Sequence, residues 1–92
     1  MIVPLSIDPE FRALCREIAG ENRSEEEWAE IESDDMFQSE SYEGGFDATE
    51  EAFCFSRHAD DGQEYWFQLT LSEVQAIAAG EERVIEMRPA EG

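Results

Sequence analysis

Two groups of side chains in this 92-residue chain have the types and spacing to do chemistry. The first surrounds His58, the only histidine, and Glu64, which flank the turn-like run Ala59-Asp60-Asp61-Gly62-Gln63 and would face each other across a hairpin close to Trp66. An imidazole beside a carboxylate can move a proton, but catalysis also needs a third group to hold the ring, and none is supplied by the neighbouring sequence. The pair reads instead as a polar surround for an aromatic side chain. The second group is a concentration of acid. Between Glu21 and Glu51 thirteen carboxylates face one base, Arg23, a net of −12 out of the formal −18 of the whole chain.

Several chemistries are excluded by spacing. The two cysteines, Cys15 and Cys54, lie 39 positions apart with one histidine between them and the C-terminus, so neither the C-x₂-C nor the H-x₃-H pattern of a structural zinc site is present. Cys54 and His58 are four positions apart on one strand face, about 13 Å, too far for the imidazole to activate the thiol. The runs Ser33-Asp34-Asp35 and Ala59-Asp60-Asp61-Gly62 do not fit the calcium-loop pattern. The glutamates fall on helical ridges and turns rather than in a pocket of Asn, Gln, Ser and Gly, which argues against a paired-carboxylate hydrolase. The sequence therefore implies no cofactor, no metal and no catalytic residue.

The charge itself excludes partners. All six bases are arginine, they are scattered, and no lysine is present, so direct binding to nucleic acid or to an anionic membrane is not expected. No run approaches the ~20 apolar residues of a membrane span, and the opening Met-Ile-Val-Pro-Leu-Ser-Ile lacks the basic flank of a secretory leader, which makes the cytoplasm the expected compartment. A basic protein surface is the partner such a charge suits. On this reading Glu26, Glu30 and Asp34 form an anionic ridge, Asp35, Glu40 and Glu43 extend it, and Tyr42 or Trp66 supplies the aromatic anchor that electrostatics alone does not, with His58 and Glu64 at its side. The roles that fit are an inhibitor, an immunity-type neutraliser or a nucleic-acid mimic. Two other readings are an accessory domain whose acidity only solvates it, in ordinary or high salt, and a carboxylate-based enzyme or divalent-ion binder.

These residues must be positioned by one small domain, 1–92, since a chain of this length buries only roughly 60–65% of its unfolded surface around a single core. Asp8-Pro9-Glu10 followed by Phe11, Leu14, Cys15 and Ile18 predicts a first helix over 9–19, stopped by Gly20. Ser24 with Glu27 is a capping box for a second helix over 25–33, its core side Trp28 and Ile31, with Met36 just beyond. Residues 36–46 read as an edge strand with Phe37 and Tyr42 on opposite faces and a turn at Gly44-Gly45. Residues 52–58 and 64–70 form a hairpin. A two-residue turn would mix apolar and polar residues on both faces. A three-residue loop Asp60-Asp61-Gly62 pairs Phe55 with Phe67 and Phe53 with Leu69, and gives one clean apolar face. Thr70 with Glu73 caps a third helix to Ala79, and 83–88 is a last strand with Ile85 and Met87 on one face. The fold class is α+β, three or four mostly antiparallel strands covered on one face by helices, in the order α-α-β-β-β-α-β.

Overall fold

The capping boxes and the two-residue periodicity of the aromatic strands resolve into six strands and three helices. In a computed structural model, which describes residues 2–31, 37–59 and 62–90, the order is β1 (Val3–Ser6), α1 (Pro9–Gly20), α2 (Glu25–Ala29), β2 (Phe37–Gln38), β3 (Tyr42–Asp47), β4 (Ala52–His58), β5 (Glu64–Leu69), α3 (Leu71–Ala78) and β6 (Val84–Pro89). The strands form one antiparallel sheet in the order β1-β6-β5-β4-β3-β2. The chain is thus α+β with helices on one face, but the sheet is wider than the three or four strands expected.

Two strands account for the difference. Val3-Pro4-Leu5-Ser6 forms an additional edge strand paired with β6, an outer position where a proline is tolerated because one side of the strand needs no ladder partner. The segment expected as a single strand over 36–46 is a hairpin. Phe37 pairs with Gly44, the Ser39 N–H donates to the Tyr42 carbonyl at 2.7 Å, and the chain reverses between them, so Phe37 and Tyr42 share the core face. Gly44-Gly45 is not a turn but lies inside β3, where Gly44 lets the Phe55 ring press against the backbone of the neighbouring strand.

The hairpin of β4 and β5 has the three-residue register. Phe53 faces Leu69, Phe55 faces Phe67, and Gly62 takes the left-handed conformation with φ of 83° that the loop requires. On the covered face Phe11 of α1 is fully buried with its ring 5.0 to 5.4 Å from those of Tyr42, Phe55 and Phe67. Trp28 of α2 meets Phe37 and Phe53 edge-on, and Val74 and Ile77 of α3 complete the same core. Such ring pairs add ~0.5–1.5 kcal/mol beyond their buried area.

The helix ends follow their caps. Asp8 accepts from the Phe11 N–H, and both capping boxes, Ser24 with Glu27 and Thr70 with Glu73, close reciprocally. α1 runs one residue further than expected and hands the left-handed position to Asn22, φ 54°, rather than to Gly20. α2 ends earlier, at Ala29. With no glycine to close it, its last turn tightens, the Glu30 and Ile31 N–H groups donating to carbonyls only three residues back. Met36 lies outside the described residues.

Candidate interaction site

Because all three helices cover one side of the sheet, strand alternation sends every second residue of β3 to β6 to the uncovered side. Ser56 lies opposite Trp66, and Trp66 opposite Arg88; one step along, His58 faces Glu64; one step the other way, Cys54 faces Gln68. Glu43 of β3 pairs with Ser56 and so stands diagonal to His58. Trp66 is 38% exposed in the middle of this surface, while its neighbour Phe67, pointing the other way, is 3% exposed. The Arg88 guanidinium lies 5.8 Å from the indole centroid, a cation–π contact worth ~0.5–1 kcal/mol at an exposed position.

Depressions among the described residues border this face. β5 and β6 are joined at only two positions, Tyr65 with Pro89 and Trp66 with Arg88, while Val84 to Met87 of β6 pair with β1 along the opposite edge. Beyond that junction a cavity of about 260 Å³ is lined by Trp66, Phe67, Gln68, Glu86 and Arg88. A larger groove, about 490 Å³, runs from Trp28 and Ala29 of α2 and Ile31 just after it over Gly44-Gly45 to Cys54 and Ser56, with Glu43 and Asp47 on its rim. The groove links the acidic helix α2 to the uncovered face. The Trp28 indole nitrogen is buried with no hydrogen-bond partner among the described residues.

The expected site residues divide three ways. Glu43, His58, Glu64 and Trp66 come together on the uncovered face, and the imidazole Nε2 approaches Glu43 Oε1 at 3.6 Å, where the sequence pointed only to Glu64. Glu26 of α2, Glu30 at its C-terminal cap and Glu40 of the β2–β3 turn are exposed but apart from that cluster. Tyr42 is corrected. It is 1% exposed, part of the core, and its hydroxyl donates to Asp8 Oδ2 at 2.7 Å, so it cannot anchor a partner. Burial, and then Asp8, hold its phenol well above the ordinary value. Asp34 and Asp35 lie outside the described residues. Arg88 and Gln68 were not singled out in the sequence, although the alternation that places Ile85 and Met87 inward also points Arg88 outward.

Neither thiol is activated by its surroundings. Cys15 is fully buried, and desolvation pushes its pKa up to about 12. Cys54 is partly buried on the uncovered face; burial raises its pKa first, and Asp47 and Glu50 add to that against an opposing hydrogen bond donated by the Gln68 amide at 3.3 Å. Both stay protonated at neutral pH, where the thiolate is the reactive species. No helix among the described residues is long and apolar enough to cross a membrane. Comparisons with family models, with curated proteins and with solved structures found no match to this chain.

Proposed function

We propose that this chain is an acidic protein-interaction module that receives a basic protein surface on the uncovered face of its sheet, acting as an inhibitor, an immunity-type neutraliser or a nucleic-acid mimic. The observation that carries the reading is Trp66, a large aromatic exposed at the centre of a sheet face that no helix covers, with Glu43, Glu64 and Glu86 around it. Buried aromatic side chains ringed by polar groups are the usual energetic centre of a protein interface. The acids of α2 supply long-range attraction that speeds encounter and sets orientation, and the groove between α2 and β3 connects them to the face.

The size of the aromatic contribution follows from what remains to be buried. Taking ~250 Å² for a whole Trp, the exposed 38% is about 95 Å², which at ~25 cal/mol per Å² is worth ~2.4 kcal/mol, or about fiftyfold in affinity. The experiment is retention of basic nucleic-acid-binding proteins by the immobilised chain across a salt series. Trp66→Ala should reduce affinity about fiftyfold at every salt concentration, and Glu26→Gln with Glu30→Gln should slow association at low salt. Binding that is indifferent to ionic strength removes the electrostatic part of the reading. The alternative, that the acidity only solvates an accessory domain whose contacts run through Trp66, predicts loss on Trp66→Ala with no effect of neutralising α2.

A further inference from the structure

We propose that Glu43, His58 and Glu64 form a binding site for a divalent transition-metal ion, zinc being the best match, at the edge of the uncovered face. The imidazole nitrogen and one oxygen of each carboxylate all lie within 4.8 Å of one another. They come from three adjacent strands: His58 ends β4, Glu64 begins β5 directly opposite it, and Glu43 on β3 stands on the diagonal. Directly opposed and diagonal positions on one face of a sheet are within reach of side chains of this length. The ligand set is therefore carried by backbone already fixed in ladders, and only side-chain torsions must adjust.

The distances fit a shared metal as well as an ion pair. His58 Nε2 and Glu43 Oε1 are 3.6 Å apart. That is beyond the ~2.7–3.2 Å of a hydrogen bond and at the upper end of the roughly 3.3–3.6 Å between two ligand atoms on a tetrahedral zinc with bonds of 2.0–2.2 Å. The ligand types narrow the ion. One imidazole with two carboxylates suits zinc and its transition-metal neighbours, whereas calcium and magnesium take oxygen ligands and water. Two carboxylates cancel the charge of the dication, and the surplus of acid elsewhere on the chain raises the local concentration of cations. The His58 and Glu43 side chains are 53% and 37% exposed, so an ion held there keeps a coordination position open to solvent or to a partner's side chain. The sequence could not show this site because its ligands follow no linear spacing.

The lone histidine is also the probe. Zinc sulfate is titrated into the full chain in a non-coordinating buffer, followed by calorimetry and by the proton resonances of the His58 ring. One zinc per chain should bind and shift those resonances, while magnesium at the same concentration leaves them in place. His58→Ala and Glu64→Gln should each weaken zinc at least tenfold. Glu50→Gln with Glu51→Gln, which removes charge from an exposed turn elsewhere, should bind as the unaltered chain does, with unfolding midpoints confirming that all variants remain folded. The proposal is overturned if zinc binds without moving the His58 ring, if the Glu50 and Glu51 variant weakens as much as Glu64→Gln, or if no binding is seen up to about millimolar zinc.

Discussion

Replacing Gly44 by alanine perturbs both the core and the site built on its back. A Cβ at position 44 would stand 2.6 Å from Phe55 Cδ1, 3.1 Å from Phe55 Cε1 and 2.7 Å from the Cys54 carbonyl oxygen. The ring cannot swing away. Phe55 is 1% exposed, stacked on Phe67 at 5.4 Å and on Phe53 at 6.2 Å, and met edge-on by Phe11 at 5.2 Å. The carbonyl belongs to the backbone of β4, so relief requires β3 to move away from β4. Overpacking of a full core costs ~1–3 kcal/mol, and with a backbone atom involved we expect the upper end, about 3 kcal/mol. For a domain of this size that lowers the melting temperature by roughly 12–24 °C. Because Glu43 precedes Gly44, the same shift would draw it away from His58. Gly20→Ala is the control: nothing lies within 4 Å of its Cβ, and alanine at the end of α1 should be neutral or stabilise by up to ~1 kcal/mol. Urea unfolding followed by circular dichroism measures both. A Gly44→Ala variant within about 0.5 kcal/mol of the unaltered chain would refute the steric argument.

Glu10 makes a second prediction. Its Oε2 accepts from the Ser41 N–H at 2.6 Å and the Ser39 hydroxyl at 2.7 Å, and the backbone hydrogen bond, more than any other cause, holds its pKa below the usual 4.5. A depressed carboxylate contributes stability that is fully present above its unfolded pKa and lost as pH falls through the folded one. Glu10→Gln should therefore cost about 1.5–3 kcal/mol at pH 7, the gap narrowing as the pH is lowered from 6 to 3; a gap independent of pH in urea titrations would contradict this. A third concerns the net charge of −18. The urea midpoint of the whole chain should rise as sodium chloride is raised from 0.01 to 1 M, since screening shortens from ~30 to ~3 Å and mutual repulsion fades. A flat or falling midpoint would show that the acids do not strain the folded state.

What could be read from the residues was whatever local physics decides. The β4–β5 register was legible because a slip of one residue would have split Phe53, Phe55, Phe67 and Leu69 between two faces, and the three helix starts because each carries its own acceptor, Asp8, Ser24 or Thr70. The β2–β3 hairpin was not legible, since the groups that hold it are far away in sequence. Its turn is bonded to Glu10, 29 and 31 residues back, and the Tyr42 hydroxyl to Asp8, 34 residues back. With that turn unseen, Tyr42 fell on the wrong face. Trp66 was placed correctly opposite Ser56, but its exposure depended on which face the helices cover, a question settled by packing rather than by periodicity. The convergence of Glu43 on His58 required the β3–β4 register, which rests on the same hairpin.

The acidity of the chain is two populations with different physical causes. Asp8, Glu27 and Glu73 each answer a backbone N–H at a helix start, Asp47 answers those of Thr49 and Glu50, and Glu10 answers the Ser41 N–H and the Ser39 hydroxyl of the hairpin turn. Their charge sits against unsatisfied donors and is part of the fold. Among the described residues, the side chains of Glu25, Glu26 and Glu30 in and just after α2, of Glu17, Glu40, Glu50 and Glu51 elsewhere, and of Glu64 and Glu86 on the uncovered face take neither a hydrogen bond nor an ion pair, so folding leaves their charge unanswered. A solubility device needs no particular place, yet two members of this second population, Glu64 and Glu86, border the sheet face that exposes a tryptophan. A surface that combines unanswered negative charge with unburied aromatic area can lower its free energy in one step, by meeting a partner that brings positive charge and covers the ring. That coincidence, rather than the size of the net charge, is the physical reason to look for a basic partner at Trp66.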